Sequence, residues 1–123
     1  MGEPKQRRRR RPSGPALSGY RIVWLIVLFD LPVGTKPQRG AATRFRNDLL
    51  DEGFEMSQYS VYLRHCAGKE QASALTRRIE ANMPTEGKVH MIQITDKQYE
   101  NIHTFRGKKR EPGLKNPNQF VMF

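Results

Sequence analysis

The sequence predicts one α+β domain with elements in the order β-α-β-β-α-β and an extra strand at the C-terminus. Three observations lead there. The unbroken apolar run at 22–29 reads as a strand covered on both faces. Two stretches with apolar residues at helical spacing, 41–49 and 72–79, alternate with segments rich in β-formers. The length of 123 residues allows a single small core.

Each element follows from its residues. Residues 1–19 place Pro4, Pro12, Pro15, Gly2, Gly14 and Gly19 around the arginines 7–11, with almost no apolar content. They are expected to form a disordered basic tail, with 20–123 the folded domain. The tail is either a solvated appendage or an auxiliary arm for nucleic acid. Arginines ahead of an apolar run also mimic a twin-arginine leader. This run, however, is β-branched and Trp-rich and meets Asp30-Leu31-Pro32 with no small-residue cleavage site. It is also far too short to span a bilayer.

The first strand stops at Asp30 because Pro32 restricts Leu31 and cannot continue a ladder. Pro37 suits the first turn of a helix capped by Thr35. Ala41, Ala42, Phe45 and Leu49 line its inner face, and Gly53 ends it. Residues 54–66 form either two short strands with a bend at Ser57-Gln58 or one bulged strand. A second helix over 69–82 buries Ala72, Leu75 and Ile79 and ends before Pro84. Thr85-Glu86-Gly87 turns the chain into a strand over 88–95. A short helix at 96–103, a basic loop at 106–118 and an apolar strand at 119–123 complete the chain.

This order is the ferredoxin-like plait. A plait covers one face of its sheet with helices, yet the first strand is apolar on both. Nothing in so short a chain remains to cover the second face, so a homodimer with sheets packed face to face is expected. Gln119, Phe120, Val121, Met122 and Phe123, after a long loop, suit addition to a neighbouring sheet. Packing on the chain's own sheet edge is the alternative.

The net charge of +10 points to a polyanionic partner, nucleic acid or an anionic membrane surface. Lys5 and the arginines 7–11 against Glu3 put half of that charge in the tail, leaving a moderately basic body. The lone Cys66 permits no intramolecular disulfide and fits a cytoplasmic protein, where it reads as a small buried hydrophobe. His65, His90 and His103 have no metal-ligand spacing and read as surface or core histidines. Asp30 has two readings: an acid capping a turn, or a metal ligand.

With Asp30 and the element order in hand, the chain resembles the CRISPR-associated protein two family, the small dimeric partner of the CRISPR integrase. The residues that carry the resemblance begin with Val27-Leu28-Phe29-Asp30-Leu31-Pro32, Thr35-Lys36, Arg39, Phe45-Arg46 and Leu49-Leu50. Gly53-Phe54, Met56, Gln58, Ser60-Val61-Tyr62, Arg64 and the closing 119–123 complete it. The arginine-rich tail departs from the pattern. The resemblance implies a ferredoxin-like dimer that bridges integrase subunits and carries duplex prespacer DNA. It also implies a metal-dependent nuclease acting on RNA or DNA, whose ligand matches Asp30. Partner contacts would fall on 119–123, and a membrane is not among the expected partners.

Physically, one Mg²⁺ shared by two Asp30 side chains near a dimer axis could run such chemistry. No convincing second acid appears in the chain. Lys36, Arg39 and Arg46 on the first helix and Arg77 and Arg78 on the second form a candidate phosphate track, doubled in a dimer. Three functions compete: a DNA-binding scaffold in spacer integration, a stand-alone Mg²⁺-dependent endoribonuclease of the toxin-like messenger-RNA-cleaving kind, and an RNA-recognition module. The last lacks its aromatic surface motif and, in a dimer, its open sheet.

Overall fold

The computed structural model describes residues 21–114. The expected tail and the strand expected at 119–123 lie outside the described residues.

The central strand β1 (Val23–Asp30) is followed by helix α1 (Lys36–Asp51), β2 (Glu55–Gln58) and β3 (Val61–Cys66). Helix α2 (Lys69–Glu80), β4 (Lys88–Thr95) and the short α3 (Asp96–Glu100) come next. A small hairpin, β5 (Phe105–Arg106) and β6 (Lys109–Arg110), closes the described chain. The four-stranded sheet has the order β2-β3-β1-β4, with every pairing antiparallel. This is the ferredoxin-like plait.

Alternation along β1 sorts its side chains onto two faces. Val23, Leu25, Val27 and Phe29 point to the helix layer and are buried against Phe45 and Leu49 of α1 and Ala72, Leu75 and Ile79 of α2. Thr35 caps α1 reciprocally with Gln38: its hydroxyl accepts from the Gln38 backbone N–H, and its own N–H donates to Gln38 Oε1. The helix ends at Asp51, and Gly53, at φ +91°, turns the chain into β2. A Cβ there would also stand 2.9 Å from Arg64 Nε, which donates to the Glu52 carbonyl and ties β3 to the end of α1.

The other face carries Ile26, Leu28, Val61, Leu63, Ile92 and Ile94, brought together by the registers Ile26↔Leu63, Leu28↔Val61 and Ile26↔Ile92. They are half-buried except Ile92, which is exposed. The expectation that no chain remains to cover this face is corrected at one end. There Tyr99 of α3 stacks on Trp24 at 3.7 Å, and the indole N–H donates to Asp96.

Two further differences from expectation appear. The turn between β2 and β3 is Tyr59-Ser60, with an irregular register between Met56 and Gln58, so both a bend and a bulge exist and the bend falls later. The basic stretch 106–118 is not wholly loop. Gly107, at φ +63°, turns a hairpin whose arms pair Phe105 with Arg110 and Arg106 with Lys109.

Candidate active site and nucleic-acid surface

One end of the sheet gathers the candidate chemistry. Asp30, the last residue of β1, is exposed and pairs in register with Lys88 of β4. No hydrogen bond or ion pair from a described residue engages the Asp30 carboxylate, so a turn-capping role finds no donor among them. Its backbone is closely held. Gly87, at φ +95°, brings the turn before β4 so near that a Cβ would stand 2.7 Å from the Asp30 carbonyl oxygen and 2.7 Å from Leu31 Cδ2. Gln38 braces that turn from α1 by donating to Glu86 at 3.1 Å. On the other side of β1 the Phe29 N–H donates to the Ser60 carbonyl.

No described cluster of three or more His, Cys, Asp or Glu could hold a metal ion. His65 is exposed and Cys66 buried on opposite faces of β3; His90 and His103 are exposed. Burial pushes the Cys66 thiol above its ordinary 9.0, with Arg64 acting the other way. Cys66 is therefore a packed hydrophobe, not an activated nucleophile.

The basic candidates divide into free and committed groups. Lys36, Arg39 and Arg46 lie on one stripe of α1, spanning about 15 Å from first to last at helical rise. Lys36 and Arg39 are exposed, and Arg39 donates through Nη1 to the Val33 carbonyl. Arg46 is half-buried: Nη2 donates to the Tyr59 hydroxyl at 2.8 Å, and the guanidinium lies 4.6 Å from the Tyr59 ring centroid. Arg77 is exposed on α2. Arg78 is forked onto Glu52, with Nε 3.1 Å from Oε1 and Nη2 3.1 Å from the same oxygen, so it is the least available of the five. Sequence reasoning did not single out Tyr59 or the hairpin cations Lys108, Lys109 and Arg110; exposure of an aromatic in a turn is a property of the fold. Among the described residues no helix is long and apolar enough to cross a membrane.

Comparison with known proteins decides the family. The sequence profile described as CRISPR associated protein Cas2 matches residues 23–102, from the first residue of β1 to just beyond α3. This chain belongs to the Cas2 family. A CRISPR-associated endoribonuclease Cas2 from Paracidovorax avenae is 55% identical over 107 residues, covering 87% of this chain and 99% of that protein. A Cas2 of the same name from Parvibaculum lavamentivorans is 46% identical, over 82% of this chain and all of its own length. Another, from Flavobacterium psychrophilum, is 44% identical over 87% of this chain and 93% of its own. A solved structure described as a crystal structure of Cas2 is similar at TM-score 0.49 and 20% identity, over 74% of this chain and 95% of the other.

Proposed function

We propose that this Cas2-family chain is a homodimeric scaffold of CRISPR adaptation that holds duplex prespacer DNA and bridges integrase subunits, with a metal-dependent nuclease centred on Asp30. The observation that carries the reading is the division of the domain into two unlike faces. The outer sheet face is apolar, with Ile26, Leu28, Val61, Leu63, Ile92 and Ile94 side by side. A second copy is the partner that fits it, because the same self-complementary patch then covers itself. The opposite, helix-bearing side carries the stripe Lys36, Arg39 and Arg46. Two-fold symmetry duplicates that stripe, giving a basic track that positions a phosphate backbone without reading its sequence. Residues 119–123 are the proposed contact to a neighbouring sheet, in the partner or in the integrase.

For the nuclease, Asp30 supplies an exposed carboxylate with no described donor competing for it. Mg²⁺ is commonly held by one or two carboxylates and several waters, so Asp30 from each subunit fits that demand where one chain alone is sparse. When bound, the metal would supply an activated water and neutralise charge building on the phosphorane. The contribution of this chain is positional: the Gly87 turn fixes the strand end that carries the carboxylate.

The relatives' names, CRISPR-associated endoribonuclease, favour a second reading in which the chain itself cleaves RNA. Co-purification with the integrase and duplex DNA, run beside an RNA and DNA cleavage assay of the same preparation, separates the two. The scaffold reading expects a ternary complex that survives Asp30→Ala and weakens when 119–123 are deleted. Divalent-dependent RNA cleavage without any complex would favour the endoribonuclease.

A further inference from the structure

Tyr59 is an aromatic that faces solvent. It lies in the β2–β3 turn, is 73% exposed, and is the most exposed large hydrophobic side chain among the described residues. A solvent-facing aromatic at a turn is ordinarily mobile, but this one is held. Arg46 donates to its hydroxyl at 2.8 Å and lies 4.6 Å from its ring centroid, with the Phe29 ring 5.9 Å away as a further support. The backbone fixes its direction too, since Ser60 adopts φ +76° and its carbonyl accepts from Phe29.

The arrangement has a cost that packing alone does not explain. Arg46 Nε is buried with no hydrogen-bond partner, the sole such side-chain nitrogen or oxygen among the described residues. A buried donor left unmade is unfavourable and calls for a reason. The guanidinium carbon lies over the tyrosine ring, with donors of Nη1 and Nη2 left over beyond the single bond to the hydroxyl. A planar fork fixed beforehand matches a phosphate, and an aromatic ring backed on one side by a cation offers its other side to a nucleobase.

We infer that Tyr59 is a stacking platform for an unpaired nucleobase, with Arg46 behind it binding the adjoining phosphate, so the protein prefers nucleic acid with single-stranded nucleotides over blunt duplex. This rests on the nucleic-acid reading above and extends it from backbone contact to base stacking. The ligand class is a duplex with an unpaired end or a single strand, and the recognition is tolerant of sequence because every base has a π face.

The test measures affinity of the full chain for a blunt duplex and for the same duplex ending in unpaired nucleotides, with 2-aminopurine as the first unpaired base. Wild type should bind the overhang more tightly and quench the 2-aminopurine fluorescence. Tyr59→Ala should lose about tenfold in overhang affinity relative to blunt duplex, together with the quenching. Tyr59→Phe keeps the ring and should retain the quenching. Arg46→Lys should keep a charge yet lose part of the preference, because an ammonium lacks the fork. Circular dichroism checks that each variant is folded. Quenching and preference that survive Tyr59→Ala overturn the platform, as does their loss only in Phe105→Ala, a second exposed aromatic (56%) near cations. Wild type that binds both duplexes equally without quenching overturns the platform alone. Wild type that binds neither removes the nucleic-acid reading as well.

Discussion

Asp30 ends the apolar strand as an exposed carboxylate that no described donor engages, so its charge does little for the fold. Asp30→Ala is therefore expected to shift stability by no more than about 0.5 kcal/mol and to leave dimerisation and spacer acquisition largely intact. It should abolish divalent-dependent cleavage, as read on labelled RNA and DNA; loss of acquisition in a folded dimer would make catalysis essential instead. Cys66 and Tyr99 behave oppositely, because their environments oppose ionisation. Burial raises the Cys66 thiol above 9.0; burial and then the charges of Glu55 and Asp96 raise the Tyr99 phenol above 10.0. Once the pH passes 9.0 the unfolded chain releases the thiol proton while the folded chain keeps it. The unfolded state then binds fewer protons, so stability is fully present below that pH and falls above it until the folded thiol also ionises. The Tm should decline on alkaline titration, and Cys66→Ala should flatten the decline; an unchanged slope would show that the thiol does not contribute.

At the scale of elements, Gly87 does more for the candidate site than its place in a turn announces. Its φ of +95° and the 2.7 Å that a Cβ would leave to the Asp30 carbonyl both exclude a side chain. Gly87→Ala should cost about 1–3 kcal/mol by denaturant unfolding and displace the strand end, lowering any Asp30-dependent cleavage more than duplex binding. A wild-type midpoint in Gly87→Ala would mean that the turn yields freely. The order of the plait was legible in the sequence because its signals are local: an apolar run closed by Pro32, a Thr35 cap, and apolar residues at helical spacing. The β2–β3 turn was read too early because Ser60 takes a positive φ without being glycine, asparagine or aspartate. The hairpin at 105–110 escaped because two-residue arms leave no alternation to count. Of the candidate residues, the strand-end position of Asp30 and the placing of Lys36, Arg39 and Arg46 on α1 were legible, from the stop at Pro32 and from helical spacing. The engagement of Arg78 by Glu52 and of Arg46 by Tyr59 was not, since each partner lies more than ten residues away and only tertiary packing unites them.

For the whole molecule, the two faces make linked demands. In the proposed dimer a second copy would cover the apolar face, where Ile92 is exposed, and would double the α1 stripe. If the dimer brings about six phosphate contacts, the logarithm of the DNA affinity should fall with the logarithm of salt at a slope of roughly −5. Ile92→Lys tests both demands together. The residue is 44% exposed in the single chain, so the substitution should leave the monomer folded while burying charge in any sheet-to-sheet interface. Light scattering should then report a monomer, and the salt slope should drop to about half, because each molecule keeps only its own stripe. A dimer that persists in Ile92→Lys would put the second copy elsewhere than on the apolar face. A monomer that retains the full slope would break the link between dimerisation and the DNA track, leaving a stripe that binds without being doubled.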